Sequence, residues 1–228
     1  MHPSALSNAD FFFKTYLTPA NKGARIVEIG SQNVNGSIRS ICPPGMEYIG
    51  VDFARGNGVD VVLDDPYKLP FGDGTVDFCL SSSVLEHSEM FWVLFLEILR
   101  ILKPSGLFYL NAPSNGPFHR YPVDCWRFYP DSGTALVNWA RRCNLNPAML
   151  ESYMSYQQND YWNDFIAIFI KDARHCADYP NRIIGTNKDI YNGLVLGSEN
   201  FINPKDGTED FMRLQTIAAV ATGKLAVR

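Results

Sequence analysis

Short apolar runs alternate with longer amphipathic stretches along the first three quarters of the chain. The runs are rich in β-branched residues and have the length of strands buried on both faces of a parallel sheet. They predict strands at about 25–29, 47–51, 59–63, 76–81, 107–112 and 165–170. Because strands alternate with helical stretches, the pattern predicts an α/β fold with a mostly parallel sheet.

The clearest helix is predicted at 89–103, where Ser88 is a candidate cap and Pro104 follows the last turn. This stretch is apolar nearly all round, so we expect it to be covered on more than one side. The C-terminal segment could provide that cover, and so could a second subunit in a homo-oligomer. Further helices are predicted at 8–17, 131–143 and about 209–220.

The composition narrows the class of protein. The chain has 228 residues and is 46% hydrophobic, which is enough for one domain with a buried core. Its net charge of −4 does not indicate the basic surface that nucleic-acid-binding proteins typically have. No apolar run reaches membrane-spanning length, and the N-terminus does not look like a signal peptide. The five cysteines form no C-x-x-C pair, so disulfides and a zinc site are not expected. A cytoplasmic protein fits best.

Two neighbouring predicted strands end in residues suited to a nucleoside. The first carries Glu28 and ends at Gly30, and the second ends at Asp52. A carboxylate at a strand end can accept hydrogen bonds from both hydroxyls of a ribose. The turn lacks the G-x-G-x-x-G pattern of dinucleotide sites, because Gln32 and Val34 occupy positions that would need glycine.

Four segments together resemble one family. The glycine turn is followed by 61–71, which ends in Leu-Pro-Phe, by 76–87, and by a Leu-Lys-Pro-Ser-Gly-Leu turn at 102–107. In this order and spacing they resemble class I S-adenosylmethionine-dependent methyltransferases of the Methyltransferase-11 kind. The resemblance implies a Rossmann-like methyltransferase fold with a mostly parallel seven-stranded sheet whose last strand is antiparallel. It also implies S-adenosylmethionine as the cofactor. The expected domain covers 1–171, and 172–228 form an extension that packs on it or forms an interface.

The resemblance also implies roles for individual residues. Asp52 is expected to bind the ribose hydroxyls, and Glu28 to orient the turn or the methionine amino group. Asp65, with Asp64 as a competitor, is expected to meet the adenine. Pro66 has no N–H to offer the ring, so that contact is expected to shift to Tyr67. The remaining residues expected at the cofactor are Gly30, Ser31, Gln32, Phe53, Ser81, Ser82 and His87.

The loop at 115–129 is the expected acceptor site. It combines aromatic residues and prolines with His119 and Asp124, whereas solvated loops are usually rich in small polar residues. His119, Asp124 and His87 are the candidate catalytic residues, with histidine suited to act as a base near neutral pH. No metal site is predicted, although Asp124, Asp160 and Asp164 could ligate magnesium.

The lining of this loop suits a sugar, or equally a planar aromatic ring. The leading hypothesis is O-methylation of a sugar hydroxyl in a glycan or an activated saccharide, as in polysaccharide biosynthesis. The alternatives are methylation of a small natural product or of nucleic acid. A non-catalytic nucleoside-binding module with the same fold is the alternative of a different class.

Overall fold

A computed structural model of the chain describes residues 2–157 and 161–225. Within these ranges eight strands form one sheet in the order β3-β2-β1-β4-β5-β7-β6-β8. The strands are β1 Arg25–Ile29, β2 Glu47–Asp52, β3 Val61–Val62, β4 Val76–Ser82, β5 Leu102–Pro113, β6 Ala148–Ser155, β7 Asp164–Ile170 and β8 Ile190–Val195. The α-helices are α1 Pro3–Tyr16, α2 Phe91–Ile101, α3 Ser132–Arg142 and α4 Glu209–Ala221. Short 3-10 helices lie at Pro19–Asn21, Ile38–Ile41, Leu85–His87, Ala173–Asp178 and Ile183–Gly185.

The predicted fold class is confirmed, with one more strand than expected. Strands β1 to β5 pair in parallel, and β7 runs antiparallel between β5 and β6. The eighth strand, β8, pairs antiparallel with β6 and comes from the C-terminal extension. β6 was not predicted, because its sequence carries Glu151 between apolar residues and so shows no continuous apolar run.

The helix α2 is buried mainly along one stripe. Leu94, Phe95, Ile98 and Leu99 lie in the core on one face of the sheet. On the other side Trp92 is half-buried, and its ring packs edge-on against Trp126 with centroids 5.8 Å apart. The sequence led us to expect cover from the C-terminal segment or a second subunit. In the described structure, the loop that carries Trp126 contributes this cover, together with α3.

The extension after 171 contributes β8 to the sheet. It also contributes Ile183 and Ile184 to the hydrophobic core that contains α1. Buried Glu151 on β6 accepts hydrogen bonds from the amides of Ile183 and Ile184, at 2.7 and 3.0 Å. The hydroxyl of Tyr16 on α1 donates to the same carboxylate at 2.5 Å. One buried side chain therefore joins α1, β6 and the extension. None of the described helices is long and apolar enough to cross a membrane.

This buried contact generates a stability prediction. Replacing Tyr16 with Phe removes a donor to a buried carboxylate and keeps the aromatic volume. Hydrogen bonds to charged groups contribute about 1.5–3 kcal/mol, so we expect the free energy of unfolding to fall by about that amount in urea titration. The matched control is Tyr129→Phe, because the Tyr129 side chain is exposed. Equal stability of the Tyr16→Phe protein and the wild type would contradict the contact.

Candidate active site

The carboxyl ends of β1, β2 and β4 meet at one edge of the sheet. β1 lies between the other two, with Glu28 opposite Gly50 on one side and Leu80 on the other. The connection after β2 returns to the outside through β3, while β4 continues on the other side of β1. The strand order therefore reverses at this edge, which is where open α/β sheets bind ligands.

Glycine is required at the end of β1. Gly30 has φ +73°, in the left-handed region that residues with a Cβ rarely adopt. A Cβ on Gly30 would also lie 2.1 Å from Cγ2 of Val84. The chain therefore turns at this point in close contact with the loop after β4.

Asp52 connects the ends of β1 and β2. Its side chain is largely buried and accepts hydrogen bonds from the amides of Ala54, at 3.0 Å, and Gln32, at 3.3 Å. The carboxylate is thereby held in one orientation. Each of its oxygens has a second lone pair with which it can accept from a ligand.

Glu28 is a buried carboxyl with an altered acidity. Burial raises its pKa from 4.5 to about 7, and a hydrogen bond from the Tyr48 hydroxyl partly opposes that rise. The hydroxyl donates to Glu28 Oε2 at 2.9 Å. Glu28 therefore changes protonation state near neutral pH, and a cation bound nearby would favour its charged form.

Three serine hydroxyls are buried at the same edge without hydrogen bonds. Within residues 2–157 and 161–225, the side-chain oxygens of Ser31, Ser81 and Ser82 have no partner. Buried polar groups in proteins are nearly always paired. Unpaired hydroxyls beside the strand ends therefore fit a polar ligand that would supply the missing hydrogen bonds.

The residues expected at the adenine lie on the surface beside this edge. Asp65 and Pro66 are exposed, and Phe53 is 51% exposed. The Tyr67 amide donates to Asp65 Oδ1 at 2.8 Å, so the protein itself uses the amide expected to replace that of Pro66. The Tyr67 hydroxyl accepts from the Met90 amide at 3.1 Å. These contacts leave the Tyr67 ring, rather than its amide, as the group available for an adenine.

A cavity of about 250 Å³ opens next to the strand ends. Sequence reasoning missed Glu86 as a functional residue of this cavity, although it did single out the neighbouring His87. Glu86 is fully buried, and burial raises its pKa to about 8. Neither carboxylate oxygen has a hydrogen-bond partner in the described chain. The cavity is lined by His2, Asn35, Ser83, Glu86, Pro113, His119 and Trp162.

His87 and His119 lie close together beside this carboxyl group. Their rings are edge-to-face with centroids 4.9 Å apart. Nδ1 of His87 lies 2.5 Å from the Val123 carbonyl oxygen, and Nδ1 of His119 lies 3.1 Å from that of Pro117. Burial lowers the pKa of His87. The fold therefore brings these two predicted residues to one place, although they are far apart in sequence.

Asp124 is close to His119 but is held by an arginine. Its oxygens accept from both terminal nitrogens of Arg127, at 2.6 and 2.9 Å, and from the His119 amide at 2.7 Å. The Arg127 guanidinium lowers the pKa of Asp124 to about 2. A carboxylate of that acidity is a weak base near neutral pH.

Other polar candidates are also engaged within the protein. Asn115 donates to Asp210 of α4 and to the Tyr161 carbonyl, and it accepts from the Asn163 amide. Buried Asp164 lies 2.8 Å from Nε2 of His2. Asp160, a possible magnesium ligand in the sequence, lies outside the described residues.

Comparison with known proteins relates part of the chain to methyltransferases. A family described as a methyltransferase domain matches residues 39–110. An uncharacterized methyltransferase of Mycobacterium sp. strain KMS is 42% identical over 150 residues, covering 61% of this chain and 55% of the relative. One of Mycobacterium marinum is 37% identical over 143 residues, covering 62% of this chain and 51% of the relative. The chain thus spans about half the length of these relatives.

Residues 39–110 thus match a methyltransferase domain, and the chain is similar to class I S-adenosylmethionine-dependent methyltransferases. Its fold is similar to that of a Burkholderia thailandensis 1,6-didemethyltoxoflavin-N1-methyltransferase solved with S-adenosylhomocysteine. The TM-score is 0.55 and the identity 14%, over 74% of this chain and 79% of that one. The [4+2]-cyclase SpnF is also similar, with a TM-score of 0.54 and 14% identity, over 73% of this chain and 81% of that one. At such identities the likeness concerns the fold alone.

The acidity of Glu28 gives a pH prediction. The folded protein holds the Glu28 proton more tightly than the unfolded chain, so its contribution to stability falls as pH rises from 4.5 to about 7. We expect Glu28→Gln to gain stability relative to the wild type across this window, by about 1.4 kcal/mol for each pH unit. Above pH 7 the difference should stay constant.

Urea titrations from pH 4.5 to 8 without cofactor measure this difference. Glu47→Gln is the matched control, because Glu47 is an exposed carboxylate at the start of β2. A Glu28→Gln difference that does not depend on pH would contradict the raised pKa.

Proposed function

We propose that this chain is an S-adenosylmethionine-dependent methyltransferase that acts on a hydroxyl group. The supporting observation is the set of unpaired buried polar groups at the carboxyl ends of β1 and β4, directly beside an acceptor-sized cavity. The cofactor supplies a methyl group activated by the positive charge of its sulfonium. The protein then has to hold the methyl donor and the acceptor hydroxyl in line and accept the proton that the hydroxyl loses.

The residues present fit the cofactor. Two backbone amides fix the orientation of the Asp52 carboxylate, and each of its oxygens keeps a lone pair for a ribose hydroxyl. Buried Glu28 can become charged beside the methionine ammonium group, and Ser81 and Ser82 offer unpaired hydroxyls to the same part. We assign the adenine to the surface formed by Phe53 and the ring of Tyr67. Gly30, Ser31, Gln32, Asp65, Pro66 and His87 complete the proposed surroundings.

The cavity provides the acceptor side. Trp162 offers an aromatic face, while His119 and Glu86 offer polar edges. Sugars present apolar C–H faces and polar rims, so this lining supports a sugar hydroxyl in a glycan or activated saccharide as the acceptor. The net charge of −4 favours a saccharide or other small molecule over nucleic acid.

His119 is the residue we place against the acceptor hydroxyl, which loses its proton during transfer. It is partly exposed and lines the cavity. Asp124 has a different role in this proposal, because Arg127 already neutralises it. We propose that Asp124 fixes the loop and the backbone of His119, and that it acts on the reaction only through that position.

The cofactor assignment predicts a loss of affinity in Asp52→Ala. Removing the carboxylate leaves both ribose hydroxyls without their charged acceptor, at about 1.5–3 kcal/mol for each hydrogen bond. We expect affinity for S-adenosylhomocysteine to fall at least tenfold in isothermal titration calorimetry. Asp10→Ala is the matched control, since Asp10 lies on the surface of α1. Unchanged affinity in a folded Asp52→Ala protein would exclude the assignment.

NAD should not raise the melting temperature of the protein, because the turn after β1 lacks the glycines that hold a pyrophosphate.

The acceptor assignment predicts different kinetics for two neighbouring residues. A residue that takes part in proton transfer contributes about 10²–10⁴-fold to the rate. We expect His119→Ala to lose turnover in that range and to keep its affinity for S-adenosylhomocysteine. Asp124→Asn should instead raise KM, because it loosens the loop that positions the acceptor. Release of S-adenosylhomocysteine in a coupled assay with nucleotide-linked sugars and free glycosides measures both parameters.

His175→Ala is the control for this experiment, because His175 lies on the surface and pairs with Asp178. If His119→Ala keeps normal turnover and KM, the same assay on His87→Gln decides whether His87 has the role. If the wild-type protein binds the cofactor and turns over none of the saccharides, the sugar assignment is wrong while the cofactor assignment stands.

A further inference from the structure

Glu86, His87 and His119 form a cluster of three potential metal ligands. One ligand atom from each residue lies within 4.8 Å of the other two. Glu86 and His87 come from the 3-10 helix Leu85–His87 after β4, and His119 comes from the loop after β5. Two loops that follow neighbouring strands therefore converge on one point of the cavity wall.

The carboxylate of Glu86 is an unusual member of this cluster. It is fully buried, it lines the cavity, and neither oxygen has a hydrogen-bond partner among residues 2–157 and 161–225. The Glu86 carbonyl is engaged, since it accepts from the amides of Cys125 and Trp126 at 2.7 and 3.2 Å. Buried ionisable groups are usually paired or coordinate a metal.

The hydrogen bonds of both histidines favour one tautomer. A carbonyl oxygen can only accept, so the contacts of Nδ1 with the Val123 and Pro117 carbonyls place the proton on Nδ1 in each ring. Nε2 then carries the lone pair. Histidines that bind metals typically donate their other ring N–H to a carbonyl or carboxylate in this way. Nε2 of His87 lies 3.7 Å from Glu86 Oε1, so the lone pair of His87 lies beside the unpaired carboxylate.

We propose that Glu86, His87 and His119 bind one divalent transition-metal cation, such as Zn²⁺, in the wall of the cavity. Two imidazoles and a carboxylate suit zinc, iron, manganese or nickel better than magnesium or calcium, which prefer oxygen ligands. Bonds of about 2.0–2.2 Å place two ligand atoms of a tetrahedral ion about 3.3–3.6 Å apart. Ligand atoms that lie within 4.8 Å of one another therefore have to approach further on binding, which the partly exposed His119 can accommodate.

Three protein ligands leave at least one coordination position open to the cavity. An oxygen atom of a ligand in the cavity would occupy that position. This last step rests on the proposed function, because it assigns the cavity to the acceptor. While the ion is bound, the Nε2 lone pair of His119 is a metal ligand, so the proton-transfer role proposed for His119 belongs to the metal-free protein. Metal binding itself does not depend on methyl transfer, so it can be tested without cofactor or acceptor.

Direct metal titration tests the site. The full chain is dialysed against a chelator, and Co²⁺ is then added while visible absorption is followed, with Zn²⁺ titrated in parallel by calorimetry. We expect one equivalent to bind with a micromolar or tighter Kd. Its spectrum should show nitrogen and oxygen ligation without a thiolate charge-transfer band. Glu86→Gln and His119→Ala should each weaken binding at least tenfold.

Two control variants make the result specific. His175→Ala changes a surface histidine outside the cluster, and it should bind the metal as the wild type does. Cys125→Ser removes an exposed thiol next to the cluster and keeps the backbone amide that donates to the Glu86 carbonyl. This variant should also bind the metal as the wild type does. Thermal unfolding without metal shows that each variant is folded. His119→Ala keeps the test valid if Glu86→Gln does not fold.

Three results would overturn the proposal. These are no binding of Co²⁺ or Zn²⁺ at millimolar concentration, undiminished binding in folded His119→Ala and Glu86→Gln proteins, and loss of binding in Cys125→Ser alone. Calorimetry with S-adenosylhomocysteine on the same samples shows whether the protein binds the cofactor. It thereby separates failure of the metal site from failure of the proposed function. A protein that binds the cofactor and no metal contradicts only the metal site.

Discussion

The parallel pairing of β1 with both of its neighbours is the constraint on which the candidate site depends. This register puts Glu28 level with Gly50 of β2 and Leu80 of β4, so all three strands end at one edge. The polar residues that follow the apolar runs then meet, because parallel strands point their carboxyl ends the same way. The turn at Gly30 can come so close to Val84 only because it lacks a side chain, so the turn after β1 packs directly against the loop after β4.

Placing polar groups at this edge opposes stability. Glu28 and Glu86 are buried carboxyl groups whose pKa values rise to about 7 and about 8 because burial disfavours their charged forms. Elsewhere the same protein satisfies a buried carboxyl group fully, since Glu151 accepts from Tyr16 and from two backbone amides. Among the described residues, Glu28 accepts one hydrogen bond, from Tyr48, and the Glu86 oxygens accept none, so both carboxyl groups keep lone pairs for the ligands that we propose at this edge.

Local sequence pattern predicted the parts of the fold that are locally determined. The apolar runs of β1, β2, β4, β5 and β7 are long enough to be recognised, and the helix cores followed from their spacing. β6 was not predicted, because Glu151 interrupts its apolar pattern. The burial of Glu151 depends on contacts from α1 and the extension. The proximity of Glu86 and His119 was not predicted either, because it depends on how two loops pack against each other. Both failures concern contacts between distant segments, which periodicity does not encode.

The two sides of the site differ in how far family resemblance reaches. The matched residues 39–110 include Asp52 and Ser81, which we assign to the cofactor, whereas His119 and Trp162 of the cavity lie beyond them. The extension also supports the acceptor side, because Asp210 of α4 accepts from Asn115 near the start of the acceptor loop. A fold shared with a cyclase leaves the chemistry of such a cavity open. Five of the seven residues that line the cavity lie outside the matched segment, and we propose that these residues select the acceptor.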